Sequence, residues 1–159
     1  MLVEKPYVDV NWASAGDLKT GRPIFDTSKL TGALKGNVRN ICPSLEGGRS
    51  PAASVSYSPQ TRLFYASTNN LCMDYQASQI GRILATPFIG ASTTYHAGAG
   101  GKLGELIAWD AATGRRVWEI KEKYPYWSGR VVTTGGDVFR GTLDGWCMHA
   151  GPKVGRFHC

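Results

Sequence analysis

Apolar and polar residues alternate along this chain in short runs, punctuated by Gly, Pro, Asn and Asp, which is the period of half-buried β-strands and not of helices. Leu106-Ile107-Ala108-Trp109 is a compact apolar run and Arg115-Arg116-Val117-Trp118-Glu119-Ile120 alternates. Between them, Asp110-Ala111-Ala112-Thr113-Gly114 reads as a type I turn closed by a left-handed glycine, so the segment is predicted to be a hairpin. The same chemistry stands 93 positions earlier, where Asp17-Leu18-Lys19-Thr20-Gly21-Arg22-Pro23-Ile24-Phe25 repeats the pattern D-x-x-T-G-R-x-x-aromatic. A second kind of hairpin also occurs twice. Val55-Ser56-Tyr57, a turn at Ser58-Pro59-Gln60-Thr61 and Leu63-Phe64-Tyr65-Ala66-Ser67-Thr68 resemble Arg130-Val131-Val132-Thr133, Gly135-Gly136 and Asp137-Val138-Phe139-Arg140-Gly141-Thr142.

Two alternating hairpin types at about twice the ~40 to 50 residues of a four-stranded blade predict an all-β chain and a partial β-propeller. A β-sandwich with two similar hairpins is the alternative. The 159 residues cover about three to four blades, and an open arc of blades exposes one apolar face at each end. Composition agrees with a turn-rich folded chain: 20 glycines and eight prolines stand beside five Trp, seven Tyr and five Phe. The stretch 81–102 lacks a strand pattern and is predicted to be a long surface loop.

The formal charge is +6, but the 18 Lys and Arg are scattered and acidic residues sit among the densest group, which argues against a nucleic-acid surface. No apolar run approaches a membrane span, and Met1-Leu2-Val3-Glu4-Lys5-Pro6 lacks the basic and apolar regions of a signal peptide. Cys147, His149, His158 and Cys159 cluster near the C-terminus without the paired spacing of a zinc site. Gly98-x-Gly100-Gly101 has neither the Lys nor the following helix of a phosphate loop. No G-x-S-x-G accompanies the three histidines, so a hydrolase is disfavoured.

Cys42 and Cys72, 30 residues apart at the edges of β-like segments, are read either as two buried thiols or as a bridge in an oxidising compartment. Trp109 and Trp118 are predicted to pack blades together. Trp127, in Tyr124-Pro125-Tyr126-Trp127-Ser128-Gly129, follows a proline turn where a propeller's innermost strand begins and faces the central channel.

Several motifs, in order, carry a wider likeness: Asn40-Ile41-Cys42-Pro43-Ser44, Tyr57-Ser58-Pro59-x-Thr61, Leu63-Phe64-Tyr65, Thr68-Asn69-Asn70-Leu71-Cys72-Met73-Asp74-Tyr75, Ala108-Trp109-Asp110, Trp118-Glu119-Ile120-Lys121-Glu122-Lys123, Trp127-Ser128-Gly129 and Gly141-Thr142-Leu143-Asp144-Gly145-Trp146. Together they closely resemble the pyrroloquinoline-quinone (PQQ)-dependent methanol and ethanol dehydrogenases. The resemblance implies three to four blades of an eight-bladed periplasmic propeller, PQQ on its axis beside a calcium or lanthanide ion, a primary alcohol as substrate and a cytochrome c as electron acceptor.

By the same resemblance, Cys42 and Cys72 match a structural disulfide of the family, and Trp127 matches a tryptophan lining the quinone site. The family places a polar quinone contact in the loop after Cys42-Pro43. Here that loop is one residue longer, and Arg49 or Ser50 falls nearest. The family's adjacent-cysteine ring, its metal-ligating Glu and Asn and its catalytic Asp have no counterpart and are expected upstream of Met1. Residues 1–146 therefore read as a partial quinoprotein propeller and 147–159 as a divergent tail such as a frameshift leaves. The functional expectation is a fragment of a PQQ-dependent alcohol dehydrogenase, inactive alone; the alternative is a non-catalytic β-domain binding a ligand or partner through Trp127 and the 81–102 loop.

Overall fold

A computed structural model describes residues 5–32, 36–49, 55–78, 81, 83–86, 90–151 and 157–158. The first hairpin joins β1 (Ala13–Gly16) to β2 (Pro23–Phe25) and leads into a single 3-10 turn at Thr27–Lys29. Then follow β3 (Asn37–Ile41), the short β4 (Gly48–Arg49), β5 (Ser56–Ser58), β6 (Leu63–Asn69) and β7 (Leu71–Ala77). The second half holds β8 (Ala91–Ala97), β9 (Gly104–Asp110), β10 (Arg115–Glu122), β11 (Arg130–Val132), β12 (Val138–Gly141), β13 (Cys147–Ala150) and β14 (Phe157–His158). No α-helix occurs among the described residues, as the alternation predicts.

The central sheet is an antiparallel meander running β5, β6, β9, β10, with β4 continuing the inner edge alongside β6. A hairpin of β7 and β8 interrupts the chain between β6 and β9 and pairs instead with β3. The last sheet is a second meander in the order β11, β12, β13, β14. Both predicted hairpins of each kind are present.

The repeated turns are alike to the bond. In the first, Asp17 Oδ1 accepts the Lys19 and Thr20 amides at 2.8 and 3.4 Å and Oδ2 accepts the Thr20 hydroxyl at 2.9 Å. In the second, Asp110 takes the Ala112 and Thr113 amides at 2.9 and 3.4 Å and the Thr113 hydroxyl at 2.9 Å. Gly21 and Gly114 close them at φ 71° and 65°, a region in which a Cβ would be strained.

Strand alternation then builds the core. Tyr65, Leu106 and Ala108 of the central sheet meet Val138 and Ala150 of the last sheet and Tyr126 of the connecting loop. Each large side chain among them contributes about 1.5–3 kcal/mol by burial. Trp118 packs on this cluster with its ring 5.7 Å from that of Tyr65, whereas Trp109, off it, lies against Tyr7 at 6.3 Å. Buried Arg130 crosses between the sheets and donates to the Tyr65 carbonyl at 2.7 Å. A smaller cluster of Val38, Ile41 and Met73, with Trp12 and Tyr75 against it, holds the β3–β7–β8 sheet.

Two segments depart from the sequence expectation. The predicted loop 81–102 contains β8, paired with β7 over its whole length. Its polar Ala-Ser-Thr-Thr-Tyr-His-Ala sequence shows no alternation because neither face of this edge strand is deeply buried. Beyond Trp146, in the stretch read as a divergent tail, β13 pairs with β12; Met148 and Ala150 turn inward while Cys147 stays exposed, an alternation too brief to stand out.

Candidate functional site

The C-terminal end of β6 is where the chain's separate parts meet. Thr68 and Asn69 lie opposite Arg49 and Gly48 of β4 on one side and Glu105 and Gly104 of β9 on the other. Asn69 is fully buried. Its Oδ1 accepts the Tyr126 amide at 2.6 Å and its Nδ2 donates to the Glu46 carbonyl at 3.2 Å. One carboxamide therefore holds two loops, the one that precedes Trp127 and the one that contains Arg49.

Trp127 itself is 40% exposed, while Tyr126 before it is only 2% exposed. Tyr126 is fixed on several sides. The Arg140 guanidinium stands 4.9 Å above its ring, and Gly104 lies beneath the loop, where a Cβ would strike the Tyr124 carbonyl. On the other side of Trp127, the Ser128 hydroxyl donates to the Gly141 carbonyl at 2.7 Å. An open, flat indole is thus carried between two anchored neighbours, which is how a stacking surface is kept in place without burying it.

Burial lowers the Arg140 pKa and the hydrogen bond and charge of Glu122, whose Oε1 lies 2.6 Å away, oppose the shift. Burial raises the pKa of Tyr65, opposed by its hydrogen bond with Thr61. Both groups support the core and lie in the packing beneath the loop.

The loop after β3 is fastened by a Cys42–Cys72 disulfide with Cα atoms 4.4 Å apart. The Ser44 amide then donates to the Leu71 carbonyl at 2.8 Å, and Gly47 comes so close to that carbonyl that no Cβ would fit. Of the residues the sequence singles out, Trp127 and the Arg49 backbone come to the same end of β6. Ser50 lies outside the described residues, as does Cys159. Asn69 was given no role from sequence; its only signal is a second Asn beside it at a strand end, where a carboxamide suits backbone capture.

Among the described residues no three His, Cys, Asp or Glu side chains converge as a metal site needs. Nor is there a helix long and apolar enough to cross a membrane.

No protein-family model matches the chain. Over 162 residues it is 41% identical to a lanthanide-dependent methanol dehydrogenase of Methylacidiphilum fumariolicum (strain SolV), an alignment covering 98% of this chain and 26% of that protein. It is 33% identical over 156 residues to a quinoprotein ethanol dehydrogenase of Pseudomonas putida, covering 94% and 25%. Its fold matches a europium-containing methanol dehydrogenase with a TM-score of 0.89 at 39% identity, over 96% of this chain and 27% of the other. Over nearly its whole length the chain is thus similar to methanol and quinoprotein alcohol dehydrogenases. It spans about a quarter of the length of the curated relatives it matches. The two meanders are accordingly blades of a partial quinoprotein propeller, and the sandwich alternative falls away. A quinohemoprotein alcohol dehydrogenase from Comamonas testosteroni gives the same answer, with a TM-score of 0.75 at 25% identity over 96% of this chain and 24% of that one.

Proposed function

We propose that this chain forms a sector of a PQQ-dependent alcohol dehydrogenase and supplies one wall of its quinone site, through Trp127 together with Arg49 and Ser50. The observation that carries the reading is the exposed Trp127 indole held between the anchored Tyr126 and Ser128 at the end of β6. PQQ is a planar aromatic tricarboxylate, and a flat indole near a cationic residue fits its shape and charge. When bound, PQQ is the two-electron acceptor for oxidation of the alcohol. Trp127 orients the ring plane and excludes water from it, and Arg49 and Ser50 supply a positive charge and a hydroxyl to the same wall.

The accompanying ion is calcium or a lanthanide, and relatives named for lanthanide dependence at 41% and 36% identity favour the lanthanide. The substrate is a primary alcohol such as methanol or ethanol, and electrons leave to a cytochrome c, in keeping with a relative named methanol dehydrogenase [cytochrome c] subunit 1. The disulfide suits the periplasm. The chain alone is expected not to oxidise alcohols, because the catalytic Asp and metal-ligating Glu and Asn that the family resemblance implies have no counterpart in its sequence.

Titrating the oxidised chain with PQQ and following tryptophan fluorescence tests this. Weak binding is expected, and it is lost in Trp127→Ala. Adding calcium or lanthanum, methanol or ethanol and an electron-accepting dye is expected to give no reduction. Equal quenching in wild type and Trp127→Ala removes the quinone-wall assignment, and robust turnover overturns the inactivity of the isolated chain.

A further inference from the structure

The bridge through Asn69 goes a step beyond the residues facing the quinone, and it rests on the reading of Trp127 just given. We infer that Asn69 is the positioning residue of this wall, its one carboxamide holding the Trp127 loop and the Arg49 loop at a fixed separation. Both halves of the carboxamide are used. Oδ1 takes the Tyr126 amide, one residue before the indole, and Nδ2 gives to the Glu46 carbonyl, three residues before Arg49. The residue is fully buried, so water does not compete for either bond.

Its place in the ladder explains why a side chain is needed. The Asn69 backbone is already committed between Gly48 and Gly104, and β4 is only two residues long, so the ladder gives little hold on the loop that leads into it at Glu46. The Trp127 loop lies across the start of β9 at Gly104 without joining that sheet as a strand. Neighbouring Asn70 faces another way, its Nδ2 donating to the carbonyls of Ala99 and Lys102 at 2.8 and 2.9 Å. The paired asparagines therefore divide the work: Asn69 joins the two loops of the candidate site, and Asn70 closes the β8–β9 connection.

Chemistry fixes what substitutions do. Asn69→Asp keeps an acceptor for the Tyr126 amide and replaces the donor to Glu46 by an acceptor, so only the Arg49 side is released. Asn69→Ala releases both and leaves the Tyr126 amide buried without its partner. Ser67→Ala, at a buried position on the same strand, is the control.

The test uses the whole oxidised chain labelled with 5-fluorotryptophan. The Trp127 fluorine resonance is assigned by its loss in Trp127→Phe. In Asn69→Asp and Asn69→Ala that resonance should shift or broaden while those of Trp12, Trp109 and Trp118 stay put. Affinity for PQQ should fall on the order of tenfold or more, and Ser67→Ala should change neither. An unchanged Trp127 resonance in both folded variants overturns the inference. If wild type binds no PQQ, the functional reading fails while the fluorine result still decides the positioning role. Should both variants fail to fold, amide exchange in wild type decides: the Tyr126 amide must be protected, and rapid exchange there overturns the inference.

Discussion

The Arg140 guanidinium reaches Glu122 Oε1 at 2.6 Å, and between them these two residues form an ion pair with a fully buried cation and a carboxylate at 23% exposure. The same guanidinium covers the Tyr126 ring, so the pair sits directly under the loop that carries Trp127. Removing the carboxylate takes a compensating partner from the buried Arg140 charge, which costs more than breaking an exposed pair. Glu122→Gln should lower the unfolding free energy by about 2 kcal/mol, below the usual range for wholly buried pairs because Glu122 is partly hydrated. Tyr126→Phe should be close to neutral: its hydroxyl is buried with no hydrogen-bond partner among the described residues, and the ring under Arg140 is kept. Urea denaturation of both variants checks the contrast. A Tyr126→Phe loss as large as that of Glu122→Gln would contradict it.

The disulfide closes a loop of 30 residues that includes β4, β5 and β6. On chain entropy, opening such a loop in the unfolded state lowers stability by about 3–4 kcal/mol. Reduction, or Cys42→Ala with Cys72→Ala, should therefore lower the extrapolated unfolding free energy by that amount and raise the m-value, because the opened unfolded chain exposes more surface. Exposed Cys147 should be alkylated in the native oxidised chain, with Cys42 and Cys72 protected until reductant is added.

How much of this was legible beforehand depends on where the information sits. The D-x-x-T-G turns were readable because each is closed by its own Asp, Thr and Gly, within five residues, and needs nothing distant. The β5–β6 and β11–β12 hairpins were readable from turn residues set between apolar runs: β12 alternates, with Val138 and Arg140 buried and Phe139 exposed, whereas β6 is buried on both faces from Tyr65 to Asn69. Strand β8 was not, since its polar sequence is ordered by the β7 backbone ladder and not by burial of alternate side chains. Asn69 was invisible for a related reason: its partners stand 23 and 57 positions away, and no local pattern announces a bridge of that span. The disulfide spacing was visible, but a bridge and two buried thiols look alike until the Cα atoms are seen 4.4 Å apart.

The two repeated turns make the acid limb of stability predictable. Hydrogen bonds from Lys19 and then Thr20 hold the Asp17 carboxyl below its ordinary 3.8, and Thr113 and then Ala112 do the same for Asp110. A carboxylate with a depressed folded pKa contributes stability that is present above the unfolded pKa. That contribution is lost as pH falls through the folded value. Thermal midpoints recorded from about pH 5 down to about pH 2 should thus fall less steeply in Asp17→Asn/Asp110→Asn than in wild type. Asparagine can still accept the turn amides, so the two proteins should differ little at neutral pH. Parallel curves across the acid range would show that other carboxylates set the slope.

Gly98 offers the sharpest test of how closely the β8–β9 connection is packed against the disulfide. Its amide donates to the Asn70 carbonyl at 2.9 Å, and a Cβ on it would strike Asn70 Oδ1 and come within 3.1 Å of Cys72 Sγ. Neither neighbour is free to move: Asn70 spends its Nδ2 on Ala99 and Lys102, and Cys72 is bonded to Cys42. Gly98→Ala should therefore cost about 1–3 kcal/mol as an overpacking change, although its backbone has no left-handed φ that alanine would resist. Gly81→Ala, where nothing lies within 4 Å of the added methyl, should be neutral. Asn70→Ala alone should lose about 1–2 kcal/mol through its two backbone bonds. In the double variant Gly98→Ala/Asn70→Ala the clash with the carboxamide is removed and only the tight approach to Cys72 Sγ is left, so the combined loss should fall short of the sum of the single losses. Simple additivity in urea titrations would mean that the alanine methyl is accommodated elsewhere than against Asn70.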